Sequence, residues 1–289
     1  MVNSFSPFFI FGNPRSGTSL LRLMLNSHPK IVVPPESGFV QWWFNKYQYL
    51  NQNSFFDKTV LDGFVNDILN SRKIEDWNLS KNNLTQIISN KKPRNFAEAC
   101  ALVYQLYGLN QKKNNFIFGD KNNYYINHME LIETIYPSAK FIHLIRDGRD
   151  VACSYIDMAK IKTDSIYKPV LPVEIEAIAK QWSGNVINID AFMSEGNGIK
   201  IRYEDLILET EKTLLKITEF LNLEYSSEML SYYKKENHDE PNSTIDWKLK
   251  TMMKVDKTNI YKYKHLLTQE QVNIFNSIAG TILDKNGYV

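Results

Sequence analysis

The segment Gly12-Asn13-Pro14-Arg15-Ser16-Gly17-Thr18-Ser19 carries the most concentrated chemistry in the sequence. Its two glycines let backbone N–H groups converge on one point, and Ser16, Thr18 and Ser19 add hydroxyl donors without bulk. Arg15 places a cation inside the loop. With a strand before it and a helix after it, the segment gains the partial positive charge of a helix N-terminus and suits a phosphate-like anion. Thr18 stands where loops that cleave a β–γ phosphate bond place the lysine they need beside Mg²⁺. Arg15 and hydroxyls fit a less charged group. The plainer alternative is a glycine-containing strand–helix turn that holds no ligand.

A second cluster lies at Phe141-Ile142-His143-Leu144-Ile145-Arg146-Asp147-Gly148-Arg149-Asp150, with Ser154 eight residues beyond Arg146. A guanidinium closing a buried strand and a hydroxyl in the next helix suit a phosphate dianion, which arginine binds bidentately. A solvated turn with internal ion pairs reads as well for this cluster taken alone. Together the two segments ask for a ligand phosphorylated at both its 5′ and 3′ ends.

The elements that must position these groups are legible in the periodicity. Phe8–Phe11 is a continuous apolar run of the kind found in buried parallel strands. Thr18–Ser27 reads as a helix closed by Pro29. Strands are expected at 116–118, 141–145 and 199–203, and helices at 129–136, over Ile175–Ile189 and around Leu214–Leu221. Thr268 and Gln271 form a capping box for a last helix. Residues 39–115 are aromatic and Asn-rich, and read as a helical insert or cap. The expected class is α/β: a P-loop-like parallel β-sheet flanked by helices on both faces, in one domain over 1–289. Ligands of such sheets sit beyond the carboxyl ends of the strands, where both clusters fall.

Composition excludes several other classes. The net charge of +2 leaves no basic stripe for nucleic acid. Cys100 and Cys153 are too few for a disulfide scaffold or a Cys-based zinc site, and no His or carboxylate spacing suggests a metal. Phe8–Phe11 is too short for a signal segment or a membrane span, so with Met1 as its first residue the chain reads as cytoplasmic, with no membrane partner. Neither an oligomeric state nor a lid motion is legible.

The two clusters carry a family resemblance. PRSGTS followed by LLRLMLNSHP, and FIHLIRDGRDVACS, resemble the 5′-phosphosulfate and 3′-phosphate signatures of sulfotransferases that use 3′-phosphoadenosine 5′-phosphosulfate (PAPS), nearest the tyrosylprotein sulfotransferase-like branch. The likeness runs through 8–40, 116–160 and 199–225 and, more weakly, 255–289. It implies an enzyme with PAPS as co-substrate and no metal requirement. Arg15, Ser16, Gly17, Thr18 and Ser19 would hold the 5′-phosphosulfate, Arg146 and Ser154 the 3′-phosphate, and Tyr203 would line the nucleotide pocket, unless it simply packs at a strand end. Arg15 would also act on the reaction as a cation along the bridge to the leaving 5′-phosphate.

Three further positions follow from the resemblance. Glu36, aimed by the stiff Pro34-Pro35 approach, would be the catalytic base, against the alternative of a solvated or helix-capping acid. Lys121 would stabilise developing charge, although Asn122-Asn123 replaces the proline that usually follows such a lysine. Lys262, in Tyr261-Lys262-Tyr263, would reach the nucleotide, but reads better as a surface lysine. Of the five histidines, His128 and His143 read as helix or strand packing and His28 as a capping or packing residue, while His238 and His265 have no motif support. The Trp42-Trp43-Phe44 run reads as core rather than as acceptor pocket. The acceptor is expected to offer a hydroxyl or amine on a small molecule, a glycan or a peptide. A P-loop ATP-dependent kinase and a non-catalytic sensor of 3′-phosphoadenosine nucleotides are the alternatives.

Overall fold

The computed structural model describes residues 6–193, 196–234 and 240–288. Five strands, β1 (Phe8–Phe11), β2 (Ile31–Val32), β3 (Ile117–Lys121), β4 (Lys140–Ile145) and β5 (Gly198–Arg202), form one parallel sheet in the order β2-β3-β1-β4-β5. Helix α1 (Thr18–Asn26) links β1 to β2. Between β2 and β3 the chain forms α2 (Phe39–Tyr47), α3 (Lys58–Leu69), α4 (Lys81–Lys91) and α5 (Phe96–Asn110), where a helical insert was expected. Helix α6 (Met129–Ile135) precedes β4, and α7 (Gly148–Lys160) and α8 (Ile175–Phe192) separate β4 from β5. The chain then runs through α9 (Tyr203–Leu208), α10 (Thr210–Phe220), α11 (Ile245–Lys248), α12 (Tyr263–Leu266) and α13 (Gln269–Lys285), the last opened by the Thr268–Gln271 capping box. This is the α/β architecture read from the sequence, with the central strands buried on both faces and the edge strand β5 half-buried. Among the described residues no helix is long and apolar enough to cross a membrane.

Burial on both faces explains the strand composition. Phe9 and Phe11 enter one core with Phe118, Phe141 and the α2–α6 helices, while Phe8 and Ile10 enter the opposite core with α1, α9 and α10. Neither face of β1 meets water, so nothing selects a polar residue there.

Hydrophobicity located the strands but pairing set their ends. β3 runs on through Gly119-Asp120-Lys121 because these residues pair with Phe8, Phe9 and Ile10 of β1. A Cβ at Gly119 would lie 2.3 Å from the Phe8 ring, so this close approach requires glycine. β2 pairs with β3 where the sequence showed only an extended approach to Glu36. β5 ends at Arg202, and Tyr203 opens a helix instead of closing the strand. In the aromatic run, Trp42 is 37% exposed, whereas Trp43 and Phe44 pack against the core. His28 is fixed between the Glu224 carbonyl and the Lys30 amide, and buried His143 lies 3.1 Å from Asp190. His128 precedes α6 at its N-cap position without a side-chain capping bond, and His265 lies in α12, while His238 falls outside the described residues.

Residues 240–262 return across the carboxyl ends of the strands. Glu240 anchors this segment: its buried carboxylate lies 2.7 Å from Arg22 of α1 and also pairs with Lys248. Burial by itself would raise the Glu240 carboxyl, but Lys248 and Arg22 outweigh it and bring the pKa down to about 2. Glu240→Gln removes the buried carboxylate that Arg22 and Lys248 share and is expected to cost about 3 kcal/mol in denaturant unfolding. Because the folded value lies below the ordinary 4.5, the wild-type contribution is present above that pH. It is lost as pH falls from there toward about 2, and acid-unfolding curves of the two proteins should converge over that interval.

Candidate active site

β1 delivers its loop to the middle of the sheet, between β3 and β4. A Cβ at Gly12 would lie 2.5 Å from the Leu144 carbonyl oxygen, so the loop starts flush against β4. Asn13 anchors the turn: its Nδ2 donates to the Tyr155 hydroxyl at 2.8 Å, and its Oδ1 accepts from Asn185 at 2.6 Å. Arg15 takes a left-handed φ of 68°, which Ser16 follows by donating its amide to the Asn13 carbonyl. Gly17, φ 98°, then opens α1 with no side-chain cap, so the first helical amides are not taken by the cap residue. A Cβ there would sit 2.4 Å from the Tyr203 ring. Ser16 Oγ is buried and has no partner among the described residues.

Arg146 ends β4 beside this loop. Its guanidinium stacks 4.5 Å above the Tyr203 ring, donates to the Arg15 carbonyl at 3.2 Å and bonds the Asn259 carbonyl. Its Nε is buried without a partner among the described residues. Of the alternative, a solvated turn with internal ion pairs, only the pairing is seen: Arg149 lies 2.8 Å from Asp147 and Arg146 a longer 3.8 Å from Asp150, and all four are buried. The two anion clusters meet in the structure: Arg15 Nε donates to Ser154 Oγ at 3.1 Å, and its terminal nitrogens reach the Trp247 carbonyl at 3.3 and 3.4 Å. Burial and then the neighbouring Arg146 charge pull the Arg15 guanidinium below its ordinary range. Lys262 joins them, also lowered by burial and by Arg146; its nearest carboxylate, Asp157, is 3.9 Å away. Cations gathered in one place with weak or distant counter-charges, beside an unpartnered hydroxyl and guanidine nitrogen, fit phosphate groups.

The ends of β2 and β3 supply the other half of the site. Lys121 bonds one oxygen of Glu36 and donates to Ser19 Oγ of the anion loop at 3.2 Å. The other Glu36 oxygen lies 2.9 Å from Lys73. Burial opposes the charge on Glu36, yet Lys121, Lys73 and Lys248 together hold the carboxyl well below its ordinary range. Burial lowers Lys121 to about 8 against the opposing pull of Glu36. On the far side of β3, Asp120 accepts from Tyr104 and Tyr125 at 2.5 and 2.8 Å. Burial pushes its pKa up to about 7, and those two hydrogen bonds restrain the rise.

Every site residue named from the sequence thus lies at the carboxyl ends of β1–β5, in their adjoining loops and helices, or on the returning segment. Lys73, Lys248 and Asp120 were missed. Lys73 sits in a stretch of weak periodicity and Lys248 far along the chain, and an Asp before a Lys carries no pattern of its own.

A parallel α/β sheet with a glycine-framed anion loop after β1 and buried cations around it defines a P-loop-like protein that handles phosphorylated nucleotides. The family model described as the sulfotransferase family matches residues 7–227. Protein-tyrosine sulfotransferase A of Caenorhabditis elegans is 24% identical over 295 aligned positions, covering 99% of this chain and 68% of that protein. Among solved structures, a sulfotransferase domain from the curacin biosynthetic pathway superposes with a TM-score of 0.65 at 20% identity, covering 98% of both chains. A mouse sulfotransferase complexed with PAP superposes with a TM-score of 0.50 at 12% identity, covering 98% of this chain and 88% of that one. The chain belongs to the sulfotransferase family, close to its tyrosylprotein branch, and is a transferase that uses PAPS.

Gly17 offers the sharpest test of the loop. Gly17→Ala adds a methyl against Tyr203 at a left-handed position, a strain of roughly 1–3 kcal/mol. It is expected to weaken binding of 3′,5′-ADP (PAP) about tenfold or more in calorimetry, with far-UV circular dichroism unchanged.

Proposed function

We propose that the protein moves the sulfuryl group of PAPS onto a hydroxyl or amine of an acceptor, with Glu36 as the base and no metal. The observation that carries this reading is the chain of contacts from Glu36 through Lys121 to Ser19, which ties a candidate base directly to the anion loop. PAPS supplies the group transferred. The protein's task is to position the partners and to balance charge that spreads over the sulfuryl oxygens. In this reading the first helical amides, Ser16, Thr18 and Ser19 hold the 5′ end, while Arg146, Ser154, Tyr203 and Lys262 hold the 3′ end. Arg15 lies between them, its carbonyl on Arg146 and its guanidinium on Ser154, which supports a role at both ends.

Lys121 explains how a carboxylate held so low can still act as a base. A donor anion beside Ser19 competes with Glu36 for the ammonium. As Lys121 turns toward that anion its hold on Glu36 weakens, and the carboxyl becomes basic enough to take the acceptor proton. The positive charge required is already supplied by Lys121, Arg15 and Arg146.

The enclosure of Glu36, whose side chain is only 13% exposed, favours an acceptor that presents a slender hydroxyl, such as a small phenol or alcohol. The tyrosylprotein relative supports a second acceptor, the phenol of a tyrosine in a peptide. A panel of simple phenols, alcohols, amines and a tyrosine-containing peptide, scored by PAP release from PAPS with and without Mg²⁺, separates these. On any accepted substrate Glu36→Gln is expected to lower turnover at least about 100-fold while PAP affinity stays within about twofold. Full turnover by that variant removes Glu36 as base. Arg146→Ala should instead weaken PAP binding by about 1.5–3 kcal/mol in calorimetry, because it removes a charge-assisted contact.

A further inference from the structure

Glu36 is clamped by two lysines of different origin, and the reaction as described uses only one of them. Lys121 comes from β3, bonds one oxygen and marks the nucleotide side through Ser19. Lys73 comes from the helical segment between β2 and β3 and holds Oε2 at 2.9 Å. Its backbone takes a left-handed φ of 67°, just before the short helical turn Ile74–Trp77. Its ammonium lies 5.5 Å from the Tyr167 ring, which Arg72 also faces at 5.0 Å, and the Tyr167 hydroxyl bonds Glu75 of the same turn. Lys73 and Glu36 side chains are each 13% exposed, so Oε2 has little access to water.

Lys121 ties Oε1 to Ser19 and the nucleotide side, and as it moves to the donor anion Oε1 is left facing that anion. Oε2, the oxygen Lys73 covers, is the one open to an acceptor hydroxyl once Lys73 gives way. We propose that Lys73 is a positioning residue that occupies the acceptor-facing oxygen of Glu36, withholds it from water, and yields it when an acceptor hydroxyl arrives. This rests on the reading of Glu36 as base. The charged groups facing Glu36 are Lys121 and, more distantly, Asp120 from β3, Lys73 from the 72–77 turn and Lys248 from α11, with Glu240 behind Lys248. Lys73 therefore does two things: it keeps the carboxylate ionised and it blocks a wasteful side reaction. In that reaction a water oxygen attacks sulfur and a new S–O bond forms. The S–O bond to the 5′-phosphate breaks, its electron pair leaving with PAP. Sulfate is released, and the water protons pass through Glu36 to solvent.

Two measurements test this without knowledge of the acceptor. In the ligand-free protein, the Glu36 carboxyl is followed by ¹³C NMR across a pH titration and assigned with Glu36→Gln. Lys73→Met is expected to raise its midpoint by about one pH unit, the effect of removing one close opposite charge, while Lys73→Arg leaves it near wild type. With PAPS alone and water as acceptor, Lys73→Met should release PAP several-fold faster than wild type. Lys73→Arg should restore the slow rate, and Glu36→Gln combined with Lys73→Met should abolish the excess. An unmoved midpoint, or PAP release no faster than wild type, overturns the assignment of Lys73 while leaving Glu36 as base untouched. Excess release that persists in the double variant removes Glu36 as base, and this proposal with it.

Discussion

Parallel pairing of β3, β1 and β4 in fixed register is the constraint on which the site depends. It aligns three neighbouring carboxyl ends, so that Lys121, the Gly12–Gly17 loop and Arg146 must emerge side by side. A slip of one residue in β3 would turn Lys121 away from α1 and bring Asp120 toward the anion loop. Gly119 guards that register: only a residue without a side chain lets β3 approach Phe8 so closely. The packing of an apolar core and the placement of a reactive cation are therefore settled by the same pairing.

Around this frame the buried charges fall into two kinds. Arg22 and Lys248 share Glu240, and Arg149 pairs with Asp147 while stacking 4.1 Å above Tyr263. Those pairs tie the returning segment and the C-terminal helices to the sheet. Arg15, Arg146 and Lys262 are different: they draw mainly on carbonyls, a hydroxyl and distant carboxylates. Burying cations on such partners costs free energy that an anionic ligand can return, and the cost is concentrated where the nucleotide belongs. Glu36 stands between the two kinds, since its lysines satisfy it fully and also restrain its basicity.

The segment 240–262 links stability to the site. It is anchored through Glu240, lays the Trp247 carbonyl against Arg15 and the Asn259 carbonyl against Arg146, and hands the Tyr261 amide to Asp150, which also accepts from Tyr263 at the start of α12. Residues more than two hundred positions apart in the chain thus complete one cluster.

The parallel α/β class, the loop after β1 and the arginine closing β4 were legible in the sequence, because apolar runs covered on both faces and glycine-framed turns are local patterns. Glu36 and Lys121 were reachable only through the family likeness, since a lone Glu after two prolines and a Lys at a strand end have no periodic signal. What tertiary structure alone decided is how these groups meet. The sequence divided Arg15 and Ser154 between opposite ends of a ligand, and folding put them 3.1 Å apart. Lys262, which reads as a surface lysine, comes under the field of Arg146, and Lys73 closes on Glu36 from a stretch whose periodicity predicts little. The reason is physical: strand and loop propensities act over a few residues, whereas electrostatic partners are chosen by distances in space that only the packed sheet and its crossing segments create.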